Sequence, residues 1–143
     1  MSEDHKALVR RWFGELDQGS PTIEEELLPP DYLDHDPPLP DLPPGREGVK
    51  RANALLRAAF PDTTHTIEDQ LAEGDKVVTR LTGRGTFTGE ILGLPPNGQV
   101  VTMKGIAIHR IAGGQLVEHR AVAAKLSFLQ QMGAIPPLAS PDA

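Results

Sequence analysis

Two histidines lie where proton chemistry is most easily built in this chain. His109 ends the stretch VVTMKGIAIH, and His119 lies in QLVEHRAVAA, on the far side of the glycine pair Gly113-Gly114. An imidazole exchanges a proton near neutral pH, so either ring can act as a general acid or base beside a carboxylate in a pocket. The alternative for each residue is a hydrogen-bonded histidine with a structural role only.

A second cluster, Asp34-His35-Asp36, lies in the proline-rich segment PDYLDHDPPLPDLPP. Proline restricts its own backbone and that of the preceding residue, which predicts a stiff loop. Asp34 and His35 could then contribute to the rim of a pocket as a carboxylate–imidazole relay, or the aspartates could cap backbone amides in a turn. No second cluster stands at metal-ligand spacing, so no metal site is predicted.

The histidines must be positioned by the segments around them, which alternate with a period of two and predict two long strands folded back on each other. A two-residue loop at Gly113-Gly114 would set His109 opposite Glu118. A three-residue loop with Gly114 as a bulge would set Ala107 opposite His119, and we favour it because glycine accepts a positive φ. That register collects a mostly small and apolar face, a candidate pocket floor: Met103, Gly105, Ala107, His109, Val117, His119, Ala121 and Ala123.

The rest of the chain predicts helices first and strands afterwards. Apolar residues at helical spacing predict helices over 3–17 and 46–60, with a shorter one after Ser20-Pro21. From Thr64 the period changes to two and predicts one strand in HTIEDQLAEG, with Glu73-Gly74-Asp75 as a turn, and the next strand in KVVTRLTGRGTFTG. A loop over 89–98 could cover a pocket mouth, and a short helix over about 126–132 follows the hairpin.

This order predicts an α+β fold: a curved, mostly antiparallel sheet wrapped on N-terminal helices to form a cone with an apolar pocket. We expect a single domain over 1–135 and a C-terminal tail over 136–143.

Larger side chains that could line such a pocket are equally suited to a hydrophobic core. These candidates are Trp12, Tyr32, Phe60, Phe87 and Met103. On the opposite face of the hairpin, Arg110, Glu118 and Arg120 predict a cross-strand charge ladder. Ile106, Ile108 and Leu116 fall among these charges, and such an apolar patch predicts cover by a second subunit, hence a homodimer.

Composition excludes several classes of function. The chain has 143 residues, a formal net charge of −6 and no cysteine. The negative charge and the absence of a basic block argue against nucleic acid as a partner, and the lack of cysteine excludes disulfides and thiolate chemistry. No segment has the apolar length of a membrane helix and no signal peptide is recognised, so a cytoplasmic location is expected. Neither a phosphate-binding glycine loop nor a serine nucleophile motif is present.

The residues in five segments resemble the SnoaL-like polyketide cyclase (ester cyclase) family, within the nuclear-transport-factor-like superfamily. The segments are DYLDHDPP, LPPGREGVKRANALLRAAFPD, GEILGLPPNGQVV, GIAIHRIAGGQLVEHR and LSFLQQMGAIP. The most specific elements are the loop GE-x-x-G-x-PP-x-G, the turn GG-x-x-VEH and the end LQQ-x-G. The resemblance spans nearly the whole chain and implies a cone-shaped fold.

The resemblance also implies a cofactor-free enzyme that closes a ring in a small apolar substrate by intramolecular aldol condensation. In that family an aspartate after the EHW or EHR triplet transfers the proton, and this chain has Ala121 there. Ala107 and Gly105 likewise stand at positions that carry polar pocket residues in relatives, and Ala124 stands where an acidic residue is frequent. Relatives project catalytic residues from both hairpin strands onto one face, which also favours the three-residue turn.

Three functional hypotheses follow. The proton chemistry of a cyclase or isomerase could have moved to His119, His109, Asp34 or His35. An apolar cavity could instead promote a reaction by shape alone, by folding its substrate into a reactive conformation. Finally, the chain could bind a small ligand or a partner subunit without catalysis. Histidines with a shifted pKa would favour the first hypothesis, a cavity without converging polar groups the second, and a self-filled interior the third.

Overall fold

The computed structural model describes residues 2–137; Met1 and residues 138–143, which hold most of the predicted tail, lie outside the described part. Within residues 2–137 the chain forms four helices and five strands, which confirms the predicted α+β class. Their bounds, in chain order, are α1 Ser2–Asp17, α2 Ile23–Leu27, β1 Leu33–Asp34, α3 Arg46–Ala59, β2 Thr64–Glu73, β3 Lys76–Thr86, β4 Val100–Ala112, β5 Gln115–Ala123 and α4 Lys125–Gln131. No helix in this part of the chain is long and apolar enough to span a membrane.

The helices bury one side, as their apolar spacing predicts. On α1, Val9 and Trp12 are buried and pack with residues of α2 and the sheet, such as Leu27 and Val77. The helix ends because Gly19 takes a positive φ of 77°, a conformation that favours glycine. A second core forms at the other end of the molecule, where Phe60 stacks on Phe87 with ring centroids 5.4 Å apart.

The five strands form one curved, open sheet in the order β1-β5-β4-β3-β2. All neighbours are antiparallel except β1, which pairs in parallel with β5 through Leu33 with Glu118 and Asp34 with His119. The sequence predicted this segment as a loop, because the surrounding prolines cannot donate to a sheet. The short strand matters for function because it places Asp34 beside His119.

The turn between β4 and β5 differs from the one that we favoured. It is a two-residue loop in which Gly113 and Gly114 both have positive φ, 58° and 74°, as a type I′ hairpin requires. The bulge lies in β5 instead: Arg110 pairs with Glu118 but Ile111 pairs with Leu116, which leaves Val117 as the extra residue.

The predicted pairs of the hairpin were therefore wrong by two residues, while most of the predicted face was right. His109 lies opposite His119 and Ala107 opposite Ala121. A shift of two keeps every side chain on its face, because side chains alternate with a period of two. The bulge turns Leu116 inward, so this residue is fully buried in the core and not part of the outer apolar patch.

Candidate active site

A cavity of about 1120 Å³ lies against the inner face of the sheet. Residues of α1, α3, α4, the proline-rich loop and strands β2 to β5 line it. Ligand cavities for drug-sized molecules measure roughly 300–1,000 Å³, so a polycyclic molecule fits. Ile91 and Leu92 of the loop over 89–98 also line the cavity, and Leu92 is 47% exposed. This agrees with a loop at the cavity mouth.

At the floor of the cavity, His119 forms a dyad with Asp34. The Nδ1 atom of His119 lies 2.8 Å from Oδ1 of Asp34, and the two side chains are 18% and 19% exposed. A carboxylate acceptor keeps the proton of the neutral ring on Nδ1, which leaves the lone pair on Nε2. Nε2 has no hydrogen-bond partner among residues 2–137, so it is free to meet a ligand.

Asp34 is ionised despite its surroundings. Burial raises the pKa of its carboxyl group, but the hydrogen bond and charge of His119 and the amide of Asp36 outweigh burial and hold the pKa below its usual value. The amide nitrogen of Asp36 donates to Oδ1 of Asp34 over 3.0 Å. Asp36 itself accepts from the amide of Ala121 over 2.8 Å, so both aspartates of the cluster cap a backbone amide, as the turn hypothesis expected.

His109 is the neutral neighbour of this dyad. Its ring lies 4.9 Å from that of His119 between centroids, and the residue is 1% exposed. Burial, followed by the charge of His119, lowers the pKa of His109 to about 3. Its Nδ1 atom is buried without a hydrogen-bond partner in the described part of the chain. His109 is therefore an uncharged imidazole at neutral pH.

A second histidine–aspartate pair lines the same cavity, and the sequence reasoning missed it. His65 of β2 places Nδ1 2.6 Å from Oδ1 of Asp17, and its backbone amide donates to Oδ2 of Asp17 over 2.7 Å. The alternating pattern of β2 could have marked His65 as inward-facing. Nothing in the sequence marked Asp17, at the end of α1 and 48 residues away, as its partner.

Asn53 adds an unsatisfied donor to the cavity wall. It lies on α3 among the lining residues, and its Nδ2 atom is buried without a hydrogen-bond partner in residues 2–137. A buried amide without a partner is costly, which marks it as a group that a ligand can satisfy. The sequence reasoning missed this residue too, because an asparagine within a helix carries no local signal.

His35 points away from the cavity. Its Nε2 atom lies 2.6 Å from Oε2 of Glu118, and Oε1 of Glu118 accepts from Arg110 over 2.8 Å. Arg110, followed by His35, lowers the pKa of Glu118 to about 2. Arg120 lies 3.7 Å from the same carboxylate, so the predicted charge ladder is present and includes His35. His35 directly follows β1, and its amide donates to the carbonyl of His119 over 3.0 Å, so the extended backbone that turns Asp34 to the cavity directs His35 to the other face.

Most of the predicted substrate-contacting residues line the cavity. They are Trp12, Tyr32, Phe60, Met103, Gly105, Ala107 and Ala121. Phe87 does not: its side chain is fully buried and packs in the second core. The bulge likewise takes Val117 off the floor, whereas the other predicted floor residues line the cavity.

Tyr32 carries a strongly protonated phenol. Burial, with a smaller contribution from the charge of Asp34, raises the pKa of Tyr32 well above its usual value. The phenol therefore keeps its proton and can act only as a neutral hydrogen-bonding group.

No group of three or more metal-ligating side chains occurs within residues 2–137.

Comparison with known proteins places this chain in a family. The family model for SnoaL-like polyketide cyclases matches residues 7–132. Aklanonic acid methyl ester cyclase DnrD from Streptomyces peucetius is 30% identical over 132 residues, 88% of either chain. The structure of TsrD from Streptomyces laurentii matches with a TM-score of 0.83 at 28% identity, covering 94% of this chain and 98% of that one. IdmH from Streptomyces antibioticus matches with a TM-score of 0.77 at 31% identity, covering 90% and 98%. This chain belongs to the SnoaL-like polyketide cyclase family, as its sequence motifs predicted.

Proposed function

We propose that this chain is a cofactor-independent cyclase that closes a ring in a polyketide-like substrate by intramolecular aldol condensation. His119 acts as the general base, and Asp34 positions its ring. The observation that carries this proposal is the hydrogen bond of 2.8 Å between Asp34 and His119 at the floor of the cavity. The dyad stands beside Ala121, the position at which the family resemblance implies an aspartate.

In this mechanism the carboxylate of Asp34 accepts a hydrogen bond from the Nδ1–H group of His119 and so leaves the Nε2 lone pair toward the substrate. Because the pKa of Asp34 is held below its usual value, the carboxylate is ionised at neutral pH and stabilises the imidazolium that forms. His119 removes a proton from the carbon beside a substrate carbonyl, which gives an enolate. The enolate carbon then attacks a second carbonyl of the same molecule.

The neighbouring His109 assists by remaining neutral. Its pKa of about 3 means that it takes no proton when His119 does. A neutral ring at 4.9 Å avoids a second cation at the floor, so the proton removed from the substrate resides on His119.

The walls supply binding and orientation. Trp12, Phe60 and Met103 give apolar surface, and the unpaired Nδ2 atom of Asn53 donates to a substrate oxygen. Holding both reacting groups in one cavity converts ring closure into a pre-oriented step. These contacts favour the first of the three hypotheses, since polar groups converge on an open cavity.

Ligand binding without catalysis is the second candidate. It is favoured by the small apolar pair Ala107 and Ala121, which face each other across β4 and β5 and leave part of the floor without a polar group. This candidate predicts affinity for aromatic ketones but no turnover.

The test uses aklanonic acid methyl ester, the compound after which the cyclases DnrD and DauD are named. The protein should convert it to an isomer of equal mass and different chromatographic retention. His119→Gln should lower kcat by roughly 10²–10⁴-fold, the usual contribution of a general base. The control Asp69→Asn, which removes an ion pair with Arg80 on the outer face, should leave kcat unchanged.

Two outcomes would contradict the proposal. Full activity of His119→Gln would favour catalysis by shape alone. Saturable binding by the wild-type protein without any product would favour the non-catalytic candidate.

A homodimer is part of the proposal. Leu71, Val122 and Ile106 are exposed at 70%, 80% and 47%. Alternation along β4 and β5 directs the side chains of Ile106 and Val122 to the face opposite Ala107 and Ala121, while both residues also border the cavity. Ile106 pairs directly with Val122, which makes a continuous apolar surface that a second subunit would cover.

The cytoplasmic location and the single-domain boundary at residue 135 stay predictions of the sequence.

A further inference from the structure

The mechanism built on His119 leaves one histidine–aspartate pair of the cavity without a role. His65 and Asp17 both line the cavity, on the side formed by β2 and the end of α1. Their side chains are 23% and 18% exposed, similar to the His119–Asp34 dyad. The pair must be either a structural clamp or a second reactive group.

The contacts of Asp17 go beyond what a clamp requires. Its Oδ2 atom accepts the backbone amide of His65 over 2.7 Å, which by itself ties α1 to β2. Its Oδ1 atom separately holds Nδ1 of the ring at 2.6 Å. As in the first dyad, the neutral ring then carries its proton on Nδ1, and Nε2 has no partner among residues 2–137.

The two dyads are joined by a row of rings. The ring of Phe13 lies 5.1 Å from that of His65 and 6.1 Å from that of His109, which is 4.9 Å from His119. From α3, Arg57 donates to the carbonyl of Leu16 and also lines the cavity. Arg57 is thus the charged group that α3 brings to the end of α1 beside the second dyad. The rings of His65 and His119 therefore lie on separate walls of one cavity with Phe13 and His109 between them.

We propose that His65 is a second catalytic residue, which donates a proton to the carbonyl oxygen that becomes the hydroxyl group of the product. Asp17 is its positioning residue: its carboxylate at Nδ1 stabilises the imidazolium form of His65, in which Nε2 carries the proton that is donated. This inference rests on the proposed aldol cyclase function and assigns the acid that the base His119 needs as a counterpart.

The step balances without a co-reactant. His119 takes the proton from the α-carbon, and the electron pair left there forms the new bond to the second carbonyl carbon. The π pair of that carbonyl moves to its oxygen, which takes the proton from Nε2 of the His65 imidazolium. The product is an isomer of the substrate, and one proton passes from His119 to His65 through solvent before the next turnover.

The arrangement also defines the substrate class. The substrate must carry an acidic C–H group at the His119 wall and an electrophilic carbonyl that reaches the His65 wall. A dicarbonyl compound with an aromatic body meets both conditions and fills the apolar space between them. A monoketone can bind but cannot engage both walls in one turnover.

The pH dependence of kcat separates the two roles. With aklanonic acid methyl ester, wild type should give a bell: activity falls at low pH when the base is protonated and at high pH when the acid loses its proton. His65→Gln should lose the high-pH limb and about 10²-fold in kcat, whereas His119→Gln should lose the low-pH limb. Asp69→Asn, an aspartate on the same strand but on the outer face, should keep both limbs.

Asp17→Asn tests the positioning role. Long-range ¹⁵N NMR should show a single Nδ1-protonated tautomer of neutral His65 in wild type and a tautomer mixture in the variant. The variant should lower kcat with KM unchanged, whereas a purely structural clamp would lower the melting temperature without changing kcat.

A binding measurement on the wild-type protein covers the case in which a variant does not fold. Titration with 2-naphthoylacetone, an aromatic dicarbonyl compound that can reach both walls, should move the Nε2 resonances of both His65 and His119. The His35 resonances should stay fixed, since that ring is held by Glu118 outside the cavity. A dicarbonyl probe that moves His119 alone, or a His65→Gln variant that keeps kcat and both limbs, would overturn this inference and leave the proposed function standing. Full activity of His119→Gln would overturn the proposed function itself, and a ketone that moves neither ring would overturn both.

Discussion

His109 and His119 face each other across β4 and β5 with ring centroids 4.9 Å apart, yet they have opposite surroundings. His119 has the carboxylate of Asp34 at its Nδ1 atom, whereas Nδ1 of His109 has no partner in the described residues. The two rings therefore differ in their surroundings: the carboxylate of Asp34 holds the ring of His119, whereas burial keeps the ring of His109 neutral.

Acid should destabilise the protein through His109. Its folded pKa of about 3 lies below the ordinary value of 6.5, so the unfolded chain binds more protons between these two pH values. Stability is fully present above about pH 6.5 and is lost as the pH falls toward 3, with a slope of up to about 1.4 kcal/mol per pH unit from this group. Urea unfolding at several pH values should show this slope.

The variant His109→Met removes the titrating ring, and its stability should depend less on pH in the same window. His5→Gln, on α1 outside the active-site cavity, should retain the full slope. Equal slopes in His109→Met and wild type would show that His109 is not the buried neutral group.

Asp34→Asn should abolish the base function of the dyad while substrate binding is retained. An amide can donate to Nδ1 of His119, which moves the ring proton to Nε2 and removes the lone pair that acts as the base. We expect kcat to fall by about 10²-fold or more, with KM changed little, because Asp34 does not bind the substrate directly. Steady-state kinetics would measure both constants, and a change confined to KM would contradict the positioning role.

Gly48 should not tolerate a side chain, because α3 and the proline-rich loop touch there. A Cβ at this position would lie 2.0 Å from the carbonyl oxygen of Pro43, so Gly48→Ala must displace a stiff loop that lines the cavity. We expect a loss of about 1–3 kcal/mol in the free energy of unfolding. Thermal and urea unfolding would measure it.

Gly14 offers the matched control. It is exposed within α1, and a Cβ there meets nothing within 4 Å. Gly14→Ala should therefore raise stability by roughly 0.5–1 kcal/mol, as expected for an exposed helix position. Similar effects of the two substitutions would contradict the predicted close approach at Gly48.

The outer sheet face should govern association. Val122 is 80% exposed and pairs with Ile106, so Val122→Lys places a charge in the centre of the proposed subunit contact. Light scattering across a dilution series should show a dissociation constant at least about tenfold higher than that of the wild type, equivalent to about 1.4 kcal/mol. Ala54→Lys, on the exposed side of α3, should leave the constant unchanged. A wild-type protein that is monomeric throughout would contradict the dimer.

The regular elements were predictable because their apolar residues repeat at the periods of helices and strands. The first and third helices and strands β2 to β5 appear within a few residues of their predicted bounds. The bulge at Val117 was not predictable, because Leu116 and Val117 are both apolar and the alternation gives no sign of which residue is extra. The two-residue strand β1 was missed since its pairing is with a strand some 85 residues away and not with its neighbours.

The facing of the candidate site residues on β4 and β5 was predictable from the sequence. Their contacts with residues of distant segments were not. Alternation placed His109 and His119 on one face of the hairpin, which the structure also shows. The carboxylates that pair with the histidines lie in distant segments. Asp34, the partner of His119, lies in the proline-rich segment, and Asp17, the partner of His65, lies at the end of α1. Such contacts leave no local pattern in a single sequence.

The two members of the proposed acid–base pair, Asp34 and His119, lie on separate parts of the chain. The imidazole lies on the long strand β5, while its carboxylate lies on the two-residue edge strand β1 within the proline-rich segment. Loops change faster between relatives than the sheets that carry them. An exchange of residues 30–45 would thus give or remove the proposed acid–base centre while the open, curved sheet stays the same, which makes this loop the natural unit for transplanting the proposed activity between relatives.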